Sequence, residues 1–276
     1  MKAASFDYAR PRSLDEATRL LSQTPSARLV AGGQTLGPML NLRLVQPELL
    51  VDITRIPELV RIEDEGDAVV LGACITHAAI EDGLIEDDPS NGFLAMVASG
   101  IAYRAVRTRG TIGGSIAHAD PAADWLSCLM ALGADVLIAG PNGRRRRIIG
   151  EFVRGALTTD LAQDEILDGV RIPKLSRRAR AGFAKICRKA GDFAEAIGVV
   201  IHDIERGVFR LVAGATQGRP ILIEAAQGGF GASWPPNVDR VSLSEDLSRA
   251  GLVGDRYELN IHVAAIRKAL DQAGAS

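Results

Sequence analysis

The stretch Arg107-Thr108-Arg109-Gly110-Thr111-Ile112-Gly113-Gly114-Ser115-Ile116-Ala117-His118-Ala119-Asp120-Pro121 constrains this chain more than any other. Gly110, Gly113 and Gly114 leave no Cβ in the way of a ligand and permit positive φ. Thr111 and Ser115 add short hydroxyl donors. Successive N–H groups in such a bend form a concavity suited to an anion. A helix beginning after Pro121 would turn its positive end towards that anion. Arg107 and Arg109 add positive charge. These features suit a phosphate, and a plain Gly-rich corner has the same composition.

A second stretch repeats the pattern. Leu29-Val30-Ala31-Gly32-Gly33-Gln34-Thr35-Leu36-Gly37-Pro38 is an apolar strand running into a glycine pair and a polar loop. Two such loops in one chain can clamp a diphosphate from both sides. Better-known phosphate and nucleophile motifs are missing. There is no G-x-x-x-x-G-K-[ST] and hence no P-loop. There is no G-x-G-x-x-G fingerprint of a dinucleotide-binding βαβ unit, and no G-x-S-x-G elbow.

The 276 residues have room for one large domain or two ordinary ones, and 47% apolar residues are enough for real cores. A formal net charge of −2 argues against a nucleic-acid partner. The N-terminus lacks a leader pattern and no stretch is long enough for a membrane span, so the chain reads as cytoplasmic, without membrane insertion. Cys74, Cys128 and Cys187 are scattered, which is neither a disulfide framework nor enough thiolates for an iron–sulfur cluster. His77, His118, His202 and His262 are equally scattered, so no metal site is expected. His77 reads as a first-turn helix residue. No nucleophile–base pair stands at readable spacing, and no catalytic residue is expected here.

In chain order, Ser13 with Glu16 forms a capping box for a helix over 17–22. Short strands follow at 27–31 and 49–53, with a helical turn at 38–42 between them. Strands are expected at 59–63 and 68–72 around the acidic turn 64–67. Helices are expected at 77–81, capped by Thr76, and at 91–100. The run 124–132 is apolar all round and predicts a buried helix. A strand at 134–139 turns at Pro141-Asn142-Gly143 into Arg144–Arg147, read as a solvated edge strand. Segments 152–157 and 165–171 complete this part. Beyond a seam at 173–180, strands are expected at 183–189, 196–203, 208–215 and 220–223. A loop is expected at Gly228–Val238. An amphipathic helix over 257–270 carries Leu259, Val263, Ile266 and Leu270 on one face.

The pair AGGQTLGPMLNLRL and RTRGTIGGSIAHADPAADW, with Phe183–Phe193 (FAKICRKAGDF) as a third motif, resembles the FAD-binding medium subunit of bacterial molybdenum hydroxylases. That family includes carbon monoxide dehydrogenase, quinoline oxidoreductase and split xanthine dehydrogenases. The resemblance runs in order along nearly the whole chain. It implies an α+β fold: a two-lobed FAD-binding domain of the vanillyl-alcohol-oxidase type followed by a C-terminal sheet-plus-helix domain. The boundaries fall at 1–55, 56–175 and 176–276. It implies FAD in this chain, held by Leu29, Val30, Ala31, Gly32, Gly33, Gln34, Thr35 and Leu36 on one side. Thr111, Ile112, Gly113, Gly114, Ser115 and Ala117 form the other side. Ile101 would make an apolar contact, Asp124 or Asp120 would meet the ribose hydroxyls, and Leu167 would pack near the adenine. Lys185, Asp192 and Phe193 would stand around the isoalloxazine.

By the same resemblance the partners are a large molybdopterin-binding subunit and a small subunit with two [2Fe–2S] clusters, in a dimer of heterotrimers. Electrons would pass from those clusters to FAD and on to an external acceptor. Two other readings use the same loops: a stand-alone flavoenzyme of the vanillyl-alcohol-oxidase fold, and a nucleotide-binding scaffold without redox chemistry.

Overall fold

The computed structural model describes residues 2–224 and 240–275. Strand β1 (Asp7–Ala9) leads into α1 (Leu14–Gln23). The Ser13 hydroxyl accepts from the Glu16 N–H at 3.2 Å, and the Glu16 carboxylate accepts from the Arg12 N–H at 3.0 Å. The capping box therefore forms with its return bond one residue further back than usual. Next come β2 (Arg28–Val30), α2 (Leu36–Asn41) and β3 (Leu49–Asp52). Both β1 and β2 pair parallel to β3, in the order β1-β3-β2. Parallel neighbours need a crossover. Helix α1 supplies one and buries Leu14, Ala17 and Leu21.

The strand expected at 59–63 is a 3₁₀ turn over Pro57–Val60, with Leu59 fully buried. Pro57 sits at its first position, where the ring pre-sets a helical φ and no N–H is needed. Strand β4 (Ile62–Asp64) starts only after it and pairs with β5 (Ala68–Gly72). Helix α3 (His77–Glu81) is capped by the Thr76 hydroxyl, which accepts from the Ala79 N–H at 3.1 Å. Helix α4 (Phe93–Ser99) is two residues shorter at its start than the sequence suggests, because Asn91 and Gly92 both take positive φ. A short α5 (Arg104–Arg107), absent from the sequence reading, precedes α6 (Ile112–His118) and α7 (Asp124–Leu132). All nine residues of α7 are buried.

Strands β6 (Asp135–Gly140) and β7 (Gly143–Ile148) form the expected hairpin. After α8 (Ile149–Phe152) comes a small ribbon of β8 (Val153–Gly155) and β9 (Thr158–Thr159), then β10 (Ile166–Pro173). These build an antiparallel sheet, β4-β5-β10-β6-β7. Strand β7 is its arginine edge, as expected. Arg145 pairs with Asp160 and Glu165, Arg146 with Asp135, and Arg147 with Asp160.

The third sheet is a meander of β11 (Arg180–Ile186), β12 (Ala196–Asp203), β13 (Val208–Gly214) and β14 (Ile221–Glu224). Helix α9 (Arg240–Arg249) is an addition to the sequence reading, and α10 (Arg256–Ala275) is longer at both ends than 257–270. Gly228–Val238 lies outside the described residues. Alternation gives the sheet two apolar faces. Phe183, Val199, Ile197, Ile201 and Val212 join the large core that includes α7. Ala184, Val200, Leu211 and Ala213 form a second core with Val263, Ile266 and Ala269 of α10, and Leu259 and Leu270 pack at its margin.

The approach of α10 to this sheet is limited by Gly182 and Gly198. A Cβ on Gly182 would stand 1.9 Å from the Ala269 carbonyl oxygen, and one on Gly198 would stand 2.4 Å from that of Ala265. Gly182→Val therefore forces the helix outward. Its expected cost is about 3 kcal/mol, the upper part of the range for overpacking, read as a lowered urea midpoint, whereas Gly218→Ala on open surface leaves it unchanged.

Candidate functional site

The two glycine loops meet. A Cβ on Gly32 would stand 2.1 Å from the Arg109 carbonyl oxygen and 2.8 Å from Gly110 Cα. That is backbone against backbone, and only glycine allows it. The five loop glycines divide the two properties, positive φ and a missing Cβ, between them. Gly110, Gly113 and Gly114 do not take positive φ; of the loop glycines, Gly33 alone does, at +69°. Gly110 and Gly113 are instead required for space, since Cβ atoms there would strike His77 Nε2 at 2.9 Å and Ala73 Cβ at 2.4 Å. The expected loop before a helix at Pro121 is also different: α6 starts inside the motif at Ile112, capped by the Thr111 hydroxyl, which accepts from the Gly114 N–H at 3.1 Å.

That early helix start has a consequence for anion binding. The N–H groups of Ile112, Gly113, Gly114 and Ser115 already donate, to Ile75 O, Ala73 O, Thr111 Oγ1 and Thr111 O. Those of Gly32, Gly33, Gln34, Thr35 and Leu36 donate to nothing among the described residues. Backbone donors rarely stay unpaired without water or a ligand. The first loop thus offers amides, and the second offers small side chains, the Ser115 hydroxyl and close packing.

The loops open on a cavity of about 820 Å³, within the usual range for a ligand site. Leu29, Ala31, Gly32, Gly33, Gln34, Thr35 and Leu36 line it from the first loop. Thr111, Gly113, Gly114, Ser115, Ala117, Asp120 and Asp124 line it from the second stretch, and Ile101, Leu167, Lys185, Asp192 and Phe193 line it from elsewhere. Two residues of the sequence reading stand away from it. Val30 belongs to β2, and Ile112 is fully buried in the core with its N–H spent on Ile75. Residues to which the sequence reading gave no cofactor contact also line the cavity, among them His77, Met39, Gln163 and Gly191.

Two further features stand at the cavity. Phe193 is 70% exposed, so it is not core. It follows Gly191, whose φ is +81° and whose place for a Cβ is taken by the Ala102 carbonyl oxygen at 2.9 Å. Asp124 opens α7 at its first helical position, behind Ala123 as cap, and is buried. Its Oδ1 meets no aligned hydrogen-bond donor and takes the Lys185 ammonium as an ion pair at 3.0 Å. Burial pushes this carboxyl up and the Lys185 charge pulls against it. Lys185 also donates to the Gly100 carbonyl at 3.0 Å, so it bridges the second sheet's helices to the third sheet.

His77 is at the first position of α3, as the sequence reading has it, and it is 95% buried. Its N–H donates to the Gly110 carbonyl at 2.9 Å, and its Nδ1 accepts from Trp125 Nε1 at 3.0 Å. Burial, aided by the Arg107 charge, pushes the imidazole pKa down to about 4. The sequence carried no signal for this. His77 meets partners 33 and 48 residues away.

Several known proteins resemble this chain. Residues 4–175 match the family described as FAD binding domain in molybdopterin dehydrogenase. The nicotine 6-hydroxylase medium subunit of Paenarthrobacter nicotinovorans is 32% identical over 292 aligned positions, covering 100% of this chain and 99% of that one. The carbon monoxide dehydrogenase medium chain of Hydrogenophaga pseudoflava is 41% identical over 195 positions, 69% of this chain and 67% of that one. Among solved structures, carbon monoxide dehydrogenase from Hydrogenophaga pseudoflava has a chain that superposes with a TM-score of 0.86 at 32% identity, covering 100% of this chain and 99% of that one. Quinoline 2-oxidoreductase from Pseudomonas putida 86 gives 0.86 at 30% identity with the same coverage.

Two outcomes follow from this geometry. Gly32→Ala pushes the loops apart and costs about 1–3 kcal/mol in a denaturation midpoint, whereas Gly37→Ala, with open space around it, is neutral or slightly stabilising. The second concerns pH. Below pH 6.5 the unfolded chain binds a proton at His77 that the folded chain refuses until about 4. Stability from this group is thus complete above 6.5 and declines as pH falls towards 4. The double variant His77→Phe/Trp125→Phe should lose less stability between pH 7 and pH 5 than the parent, measured by urea unfolding at both values.

Proposed function

We propose a function from the premise that this chain belongs to the family of FAD-binding domains in molybdopterin dehydrogenases. It is the FAD-carrying medium subunit of a heteromeric molybdenum hydroxylase, an oxidoreductase component. Its fold is the mixed helix-and-sheet fold of that subunit class. Bound FAD supplies the electron-transfer chemistry, between [2Fe–2S] clusters in a partner subunit and an external acceptor.

The residues at the cavity fit this cofactor. Five consecutive N–H groups, Gly32 to Leu36, are free to receive a diphosphate. The Asp124 carboxylate is buried with Oδ1 lacking an aligned donor, as an acceptor for ribose hydroxyls should be. An exposed aromatic, Phe193, stands at the mouth with no core to fill. In our reading Gly32–Leu36 hold the diphosphate from one side, and Thr111, Gly113, Gly114, Ser115 and Ala117 press on it from the other. Asp124, with Asp120 behind it, takes the ribose. Leu167 lies under the adenine and Ile101 gives an apolar contact. Lys185, Asp192 and Phe193 surround the isoalloxazine. The three sheets correspond to functional units 1–55, 56–175 and 176–276, the first two forming the cofactor domain.

The partners are a large molybdopterin-binding subunit and a small iron–sulfur subunit. We assign the assembly as a dimer of heterotrimers located in the cytoplasm. Among the described residues no helix is long and apolar enough to cross a membrane. The backbone contact between Gly32 and Arg109-Gly110, which sets both loops on one cavity, is the observation that carries this reading.

The test is spectroscopic. Co-expressed with its two partners, the chain should purify in a complex showing flavin, iron–sulfur and molybdenum signals. Gly32→Val should yield the complex depleted of FAD by at least tenfold, with iron and molybdenum contents kept. A chain that purifies alone with flavin and turns over a substrate by itself favours the stand-alone flavoenzyme, and a folded chain that ignores added FAD overturns both.

A further inference from the structure

Resting on the reading that FAD fills the cavity, we propose that His77 is a further cofactor-binding residue, donating its Nε2–H to the diphosphate. The argument starts from the tautomer. A neutral imidazole has one donor and one acceptor nitrogen. The Trp125 indole N–H can only donate, and it donates to Nδ1 at 3.0 Å. The proton of neutral His77 is therefore on Nε2. Burial keeps the ring neutral, with its pKa pushed down to about 4, so this assignment holds across the physiological range.

The place of that proton matters next. His77 lines the cavity, and its Nε2 has no partner among the described residues. The same ring edge lies against Gly110, where a Cβ would stand 2.9 Å from Nε2. Gly110 in turn touches Gly32 across the loop contact. The free N–H is thus at the junction of the two loops, where the amides of Ile112 to Ser115 are already spent, two on Ile75 and Ala73 and two on Thr111. A side-chain donor from α3 makes up what that loop's backbone lacks. The building of the site is consistent with this role. The His77 backbone N–H is tied to the Gly110 carbonyl, which fixes the start of α3, and turning the ring away would leave the indole N–H of Trp125, 1% exposed, unpaired.

A purely structural histidine would meet the same Trp125 and Gly110, so the test must read the cofactor. In the assembled complex stripped of flavin and titrated with FAD, His77→Phe/Trp125→Phe should weaken FAD affinity by about 10- to 100-fold, the scale of one lost hydrogen bond to a charged group. The paired substitution keeps aromatic volume and leaves no indole N–H orphaned. The single variant Trp125→Phe, which keeps the histidine and releases its tautomer, should show an intermediate loss. A second measurement uses the unaltered protein: ¹⁵N resonances of the His77 ring should report Nε2–H in both states, with the Nε2 proton moving downfield on addition of FAD. Unchanged affinity in the double variant, or a His77 ring that does not respond to FAD, overturns the proposal while leaving FAD binding intact. An unaltered complex that takes up no FAD removes the reading it rests on.

Discussion

Everything at the site depends on two stretches of main chain touching where neither has a side chain to spare. Gly32 and Gly110 come from loops 78 positions apart, and their contact leaves less room than one methyl group. A contact of this kind has no attraction to speak of beyond dispersion. It must be held in place from behind. On the first loop that support comes from β2 pairing with β3, and from the Ile53 N–H donating to the Val30 carbonyl at 3.1 Å. On the second it comes from α3, whose first residue binds the Gly110 carbonyl, and from Trp125 behind that residue. One loop is anchored to the first sheet and the other to α3 and α7, and the cavity is the space those two anchors leave.

The two loops look alike as sequence and act differently as structure. Both are an apolar run, a glycine pair and small polar residues. The second closes into α6 and packs on the segment after β5, so four of its amides are consumed, two by Thr111 and two by Ile75 and Ala73. The first does not close until α2, and five of its amides stay free. Part of the cause is the residue ahead of the second glycine pair. Thr111 takes an extended conformation and caps a helix with its hydroxyl. Thr35, at the equivalent junction before α2, is helical in backbone and makes no side-chain cap. One loop is an open set of donors, and the other is a wall brought against it.

Much of this was legible without coordinates. Periodicity located α1, α7 and α10, and the arginine run was correctly an exposed edge, because hydrophobic pattern and charge act locally. The glycine pairs marked both loops because close approach leaves a compositional trace. Of the two properties they offer, positive φ and a missing Cβ, Gly110 and Gly113 use the second, and the room they leave is for His77 and Ala73. The partner that forbids a Cβ lies far off in the chain. For the same reason His77 read as an ordinary first-turn residue, and nothing near it in sequence announces Trp125 or Gly110. The 3₁₀ turn at Pro57 shows a smaller failure, in which a strand was expected from Leu59 and a proline decided otherwise.

The Lys185–Asp124 pair shows how the third sheet enters the site. Burying two opposite charges gains little stability over a well-packed apolar pair, since desolvation offsets most of the attraction. Its value is in position. Lys185 is on the face of β11 that meets α7, and its ammonium reaches both Asp124 at the start of α7 and the Gly100 carbonyl at the end of α4. An apolar side chain there would pack, but it would tolerate sliding. A three-point polar contact does not, because any shift strands a charge in a dry place. With β11 held in that register, the chain after it must turn at Gly191 against Ala102, and Phe193 is carried to the rim of the cavity. The exposed aromatic and the buried ion pair are thus two ends of one device, which brings the third sheet's edge to a cavity built by the other two.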